Sequence, residues 1–350
     1  MKAYIILEDG HIFCGKRFGA DGDAIGELVF TTGMGGYIET LTDPAYYGQI
    51  VMQTFPLIGN YGVIESDKES EKPFLTAYII RDLCDAPSNF RCEKDLDTYL
   101  RENGIVGVYD VDTREITRII RENGVMNAKI VSELPSEKPE ELLSYNVCDA
   151  IKAVSCKESY TVDAIGEKRF SVGVLDLGVK KSTINELAKR GLEVKVLPYD
   201  TSADEMLKLD GIVLAGGPGN SEENTEVIEN IKKIMGKKPV FGISLGHQLL
   251  ALAAGGETEK MKHGHRGANH PVRDIENYRV FISRQNHGFA VKVDSLPDCA
   301  KVNYVSANDG SCEGIEYAGK MAFSVQFSPE TKGTGDLFDK FVKMLEEVNI

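Results

Sequence analysis

Short apolar or alternating runs dominate the first third of the chain. AYIILEDG, HIFCGKRFG and GELVFTTGMGG are each closed by glycine or aspartate, which predicts strands separated by turns. Two later segments, LDTYLRENG and REITRIIRENG, carry apolar residues at helical spacing and end on Asn and Gly, the residues of a helix C-cap. The RENG shared by 101–104 and 121–124 is that cap used twice rather than an internal repeat. From Asp149 to Arg169 the periodicity weakens and polar residues gather, the profile of an inter-domain crossing. Beyond it strand and helix alternate: strands at Ser171–Asp176, Leu192–Leu197, Gly211–Leu214 and Pro239–Ile243, and helices at Lys181–Arg190, Ser202–Leu209, Glu222–Met235 and Gly246–Ala254. That spacing predicts parallel βαβ units in an open α/β sheet, which binds ligands beyond the carboxyl ends of its strands. The division is therefore a β-rich α/β domain over 1–150, a linker over 151–169 and a parallel-sheet domain over 170–350.

Composition narrows the function. The 350 residues carry a formal charge of -14, which disfavours broad attraction to nucleic acid or an anionic membrane. Seven cysteines are scattered with no C-x-x-C pair, the usage of free thiols in a reducing compartment. The apolar start MKAYIILEDG is interrupted at once by Glu8 and Asp9, so it has no signal-peptide core, and no window reaches the length of a membrane span. The expectation is a cytoplasmic protein.

Two loops fall at the ligand-binding edge of the sheet. AGGPGN, Ala215–Asn220, has glycines that allow positive φ or close approach of backbone N–H groups to a ligand, although a tight turn into a helix explains them equally well. It is neither the dinucleotide fingerprint nor the phosphate loop. FGISLGHQ, Phe241–Gln248, has the form of a nucleophile elbow, in which Ser244 would stand at the head of a strand while the Leu245 N–H helps to hold an oxyanion. A serine that merely caps the following helix fits the same five residues, and both readings stay open at this point. A serine hydrolase needs a base, and the downstream histidines are His247, His263, His265, His270 and His287. His263, His265 and His270 in KHGHRGANH approach a metal cluster by count, but no carboxylate or cysteine is spaced to complete it, so hydrogen bonding is the expectation and no metal is assigned. His287 lies in RQNHGFAV, read as a polar turn entering an apolar run.

At this point nearly the whole chain resembles the small subunit of glutamine-dependent carbamoyl phosphate synthetase. The first domain carries the likeness in ELVFTTGMGGYIETLTDPAYYGQIV, TFPLIGNYGV, APSNFR and the DTR of Asp112–Arg114. The second carries it in VLDLGVK, AGGPGN, FGISLGHQLLALAAGG, KHGHRGANHPV, SRQNHGFAV and FSVQFSPE. The resemblance implies a flavodoxin-like class I glutamine amidotransferase domain that hydrolyses L-glutamine. It also implies passage of ammonia to a large subunit, a ligase partner holding ATP and Mg, for carbamoyl phosphate on the routes to arginine and pyrimidines. No cofactor is implied in this chain. Glutamine would be held by positions matching Gly33, Gly217, Gly219, Leu245, Gln248, Asn286, Gly288 and Phe289.

In that family a cysteine thiolate attacks the glutamine amide, a histidine manages the proton and a glutamate orients the histidine. The elbow there reads G-I-C-L-G-H-Q and the late motif H-P-E. Here the positions are Ser244, Ser328 and Glu330, so nucleophile and base are both replaced. A serine oxygen depends more on a base than a thiol does, and members of a catalytic unit are not lost additively. The expectation is a preserved glutamine pocket with weak or absent glutaminase. The alternatives are an active subunit using Ser244 with a relocated base such as His287, a serine esterase, and a purely binding or regulatory protein. Two further departures are Gly35, where threonine is usual, and the shortened stretch ETKGTGDLFDKF after the late motif.

Overall fold

A computed structural model of the chain describes residues 1–331, 333–334 and 336–348. The chain forms two compact units, Met1–Ala150 and Ile151–Ile350.

In the first unit seven strands close into a barrel. In ring order these are Lys2–Leu7, Ile12–Gly19, Val106–Tyr109, Ala77–Ile79, Gln49–Gln53, Ala24–Thr31 and Met126–Val131. Closure comes from the two ends of the unit, where Tyr4 pairs with Val131 and Leu7 with Ala128. Alternation along the strands sends Ile5, Leu7, Leu28, Ile50, Ile79, Val108 and Ile130 into one core, to which the helix Thr113–Asn123 adds Ile116, Ile119 and Ile120. Both helices read from the sequence are N-capped by aspartate: Asp95 accepts from the Thr98 N–H at 2.8 Å and Asp112 from the Glu115 N–H at 3.1 Å. They end at Asn103 and Gly124.

The second unit holds a ten-stranded sheet. Its centre is parallel: Leu192–Leu197, Phe170–Leu175, Gly211–Leu214, Val240–Ile243 and Ala322–Val325 lie side by side in that order. The apolar runs at these positions are buried on both faces, as parallel strands under helices require. Phe241 stacks on Phe323 at 4.5 Å between ring centroids and meets Phe338 of the last helix edge-on. Past Ala322–Val325 the sheet continues antiparallel through Cys312–Tyr317, Ala300–Ser306, Thr258–Asp274 and Arg279–Val291.

Three local expectations change. Residues 151–169 are structured within the second unit, because Tyr160–Val162 pairs antiparallel with Leu192–Leu197 and the Cys156 N–H is held by Asp176 at 2.7 Å. The expected helix Glu222–Met235 is a 3-10 turn, Ser221–Glu223, followed by Thr225–Ile234; Asn224 leaves helical geometry between them and donates to the Asn220 carbonyl at 2.8 Å. RQNHGFAV is not a turn but part of the long strand Arg279–Val291, paired across two bulges with Thr258–Asp274.

Among the described residues no helix is long and apolar enough to cross a membrane. All seven cysteines are free.

Candidate functional site

Four parallel strands end side by side at Leu175, Leu214, Ile243 and Val325, and the segments that follow them form one edge: Asp176–Lys180, Ala215–Asn220, Ser244, and Gln326–Glu330. This is the carboxyl edge where open α/β sheets bind ligands.

Ser244 is the joint between the strand Val240–Ile243 and the helix Leu245–Ala254. Its backbone sits at φ 51° and ψ -107°, a conformation that costs a non-glycine residue about 1–3 kcal/mol. The surroundings impose it. The Ser244 N–H donates to the Val325 carbonyl at 2.8 Å, and the Gly246 N–H reaches the Ala215 carbonyl at 3.1 Å. Gly246 is required there, since a Cβ would meet the Leu214 carbonyl oxygen at 2.2 Å. The Ser244 side chain makes no cap bond, which removes the helix-capping reading and leaves the strained elbow. Leu245, first in the helix, carries one of the N–H groups that a helix leaves without an internal partner.

The glycine loop lies against the elbow. A Cβ on Gly216 would stand 3.4 Å from the Ser244 Cβ, in ordinary contact, whereas one on Gly217 would lie 1.9 Å from the Leu177 carbonyl oxygen, so position 217 passes only as glycine. Gly219 has φ +88°. On the other side Gln248 donates to the Phe289 carbonyl at 3.1 Å and to Gln326 Oε1 at 3.0 Å, joining the elbow helix to the strand Arg279–Val291. Asn286 faces Arg266 across the hairpin, and Gly288 follows two strand positions before Ala290. Gly33 belongs to the first unit, where its carbonyl accepts from Gln53 Nε2 at 2.5 Å. Gly35 is exposed with open space around it.

Neither His247 nor His287 is presented to the elbow as a base. His247 is fully buried, with Nδ1 2.8 Å from Ser324 Oγ, and burial holds its imidazole down at about 3. His287 has both ring nitrogens engaged, Nδ1 with the Phe289 carbonyl and Nε2 with Gln285 Oε1, each at 2.8 Å. Burial, followed by the charge at His265, keeps its imidazole well below the usual range.

At the late motif Ser328 is held by an ammonium. Lys180 Nζ donates to Ser328 Oγ at 3.0 Å and pairs with Glu330 Oε2 at 3.0 Å, the two charged side chains being only 11% and 8% exposed. The Thr183 hydroxyl donates to the other Glu330 oxygen. Burial raises the Glu330 carboxyl, but Lys180 and Thr183 outweigh it and hold the group below its ordinary value. An ammonium that donates to two oxygens has no free lone pair, so Lys180 is not a base in this arrangement.

Sequence reading missed Lys180, although it closes VLDLGVK immediately beyond a central strand. Asp176 fixes that loop by accepting from the N–H groups of Gly178 at 3.0 Å and Val179 at 2.8 Å. The stretch after Glu330 folds back through Thr334, whose hydroxyl donates to the Pro329 carbonyl at 2.8 Å, while Lys332 and Gly335 lie outside the described residues.

Comparison with known proteins agrees with both units. The family model for the carbamoyl-phosphate synthase small chain, CPSase domain, matches residues 5–130, and that for glutamine amidotransferase class-I matches residues 173–344. The carbamoyl phosphate synthase small chain of Clostridium perfringens is 48% identical over 98% of this chain and 99% of its own. That of Bacillus caldolyticus is 44% identical over 100% of this chain and 98% of its own. A relative from Halalkalibacterium halodurans, a carbamoyl phosphate synthase pyrimidine-specific small chain, is 44% identical over 99% and 98%. With both units matched and the likeness running the length of the molecule, the chain belongs to the carbamoyl phosphate synthase small-chain family.

Proposed function

We propose that the chain serves a carbamoyl phosphate synthase as a glutamine-binding small subunit with little glutaminase activity. Its partner is an ATP- and Mg-using large subunit, and the complex works in the cytoplasm on the routes to arginine and pyrimidines. The observation that carries this reading is the late motif. Ser328 stands beside Glu330 with Lys180 between them, so the carboxylate that would orient an imidazole balances an ammonium instead. Ser244 then has a strained seat and no proton acceptor to make its hydroxyl a nucleophile. The pocket frame supports retained binding, because the glycine loop, the elbow helix and the Asn286–Phe289 segment are joined by direct contacts.

The test measures glutamine binding by calorimetry and glutamate release with the purified chain, alone and with its large subunit. Glutamine should bind, glutamate should scarcely form, and ammonia should support carbamoyl phosphate synthesis by the complex. Glutamate release at the rate of a cysteine-bearing relative would sink the proposal. The strain kept at Ser244 favours one second reading, hydrolysis through that serine. A glutamyl ester trapped on Ser244 and located by mass spectrometry would decide for it.

A further inference from the structure

The hairpin of Thr258–Asp274 and Arg279–Val291 folds a set of metal-binding donors into one place. His265 and His287 stand opposite each other in the register of Thr258–Asp274 and Arg279–Val291, and Gln285, two residues before His287, shares its face of the strand. The strand Cys312–Tyr317 brings Glu313 to the same point. The sequence shows only the histidines, because Glu313 is 48 residues away from His265 and arrives through sheet pairing.

All four residues are buried, Glu313 completely. His265 Nδ1 lies 3.0 Å from Gln285 Oε1 and 3.3 Å from Glu313 Oε1, and His287 Nε2 lies 2.8 Å from Gln285 Oε1. Donor atoms of His265, His287 and Glu313 fall within 4.8 Å of one another. A tetrahedral zinc with bonds of about 2.0–2.1 Å sets its donors about 3.3 Å apart, so small side-chain shifts suffice to close the shell.

Every ring nitrogen of the two histidines faces an oxygen: His265 Nε2 meets Asp309 Oδ2 at 2.9 Å and His287 Nδ1 meets the Phe289 carbonyl at 2.8 Å, while the inward nitrogens meet Gln285 and Glu313. Burial works against the charged ring, but Asp309 and Glu313 hold the His265 imidazole up at about 9, so it donates from both nitrogens, and only one contact, at the neutral His287 ring, sets a nitrogen lone pair against an oxygen. Glu313 Oε2 is buried with no hydrogen-bond partner. A divalent cation at the centre would displace the inward proton of His265 and take up that lone pair, the lone pair of His287 Nε2 and the spare Glu313 carboxylate oxygen. The outward contacts are those of a metal site, in which each ligating histidine donates its other N–H to a carboxylate or a backbone carbonyl.

We propose that His265, His287, Gln285 and Glu313 bind one divalent transition metal, zinc foremost. Two imidazoles with two oxygens favour zinc over magnesium or calcium, which take oxygen shells. The metal would pin the hairpin under Asn286, Gly288 and Phe289. The site stands whether or not the chain hydrolyses glutamine, since none of its donors is assigned to the elbow chemistry.

The test loads the full-length chain, after chelation, with zinc or with cobalt as a spectroscopic stand-in. Elemental analysis after gel filtration should find about one zinc per chain, and cobalt should give the intense visible bands of a tetrahedral site. Zinc should also raise the melting temperature of the wild-type chain but not of Glu313→Gln. Asp309→Asn changes a side chain 45% exposed, leaves the donors in place and should weaken zinc binding about 10- to 100-fold, which keeps the test open if Glu313→Gln misfolds. Zinc content below about 0.1 per wild-type chain, or equal affinity in wild type and Asp309→Asn, overturns the proposal.

Discussion

Replacing Glu330 by glutamine isolates the interaction that has taken over the late motif. The exchange keeps size and preserves a carbonyl oxygen for Thr183, but it removes the charge opposing Lys180. The two side chains are 11% and 8% exposed and 3.0 Å apart, so the ammonium is left with Ser328 Oγ as a neutral partner. Removing one member of a buried pair costs about 3–5 kcal/mol, and the surviving Ser328 contact places this case at the lower end. A loss of about 3 kcal/mol lowers the melting temperature of a unit of this size by about 6–12 °C.

The pH dependence has a definite sign. Lys180 and Thr183, working against burial, hold the folded-state carboxyl below its ordinary 4.5. Its contribution is therefore complete above that value and is lost as pH falls through the lower, folded-state value. Calorimetric melts of wild type, Glu330→Gln, Lys180→Met and the double variant should show a gap at neutral pH that closes in acid. The coupling energy from the cycle should be at least about 1 kcal/mol. Additive single effects, or a Glu330→Gln melt within about 1 °C of wild type at neutral pH, would refute the reasoning.

Three further outcomes are expected. Ser244→Cys alone should restore little glutamate release, whereas adding Ser328→His should multiply it by about 100- to 10,000-fold, the range of general acid–base catalysis, measured by coupled glutamate assay. Gly246→Ala drives a methyl into the Leu214 carbonyl and should cost more than about 3 kcal/mol in urea unfolding, with early loss of the second unit. Thiol labelling should modify Cys14 and Cys148 first, because both are exposed, while Cys312 should react only on unfolding, since it is buried and burial pushes its thiol up to about 12.

The parallel half of the second unit was legible because buried parallel strands are continuous apolar runs closed by helices. SVGVLD, GIVL and PVFGI each announce a strand locally. The barrel was not legible, because its closure depends on Tyr4 meeting Val131, a pairing across the whole unit that no local pattern encodes. The strand Thr258–Asp274 was hidden for another reason. Gly264, Gly267 and Pro271 punctuate it as they would a loop, and its bulges break the alternation that reveals a strand. At the site, Ser244, Ser328 and Glu330 could be picked from motif positions. Lys180 could not, since its meaning lies in a contact with Glu330 150 residues further on.

The positive-φ backbone at Ser244 bears on which residues its seat can hold. The seat is set by the main chain, through the bond to Val325 and the packing of Gly246 on Leu214, and serine and cysteine carry the same Cβ, so exchanging one for the other neither relieves nor deepens the strain. Serine in place of cysteine therefore brings no gain in stability that would draw the turn toward another conformation. The geometry is held by its neighbours rather than by its use, so under the proposed reading Ser244→Cys and Ser328→His would act on a turn already in place.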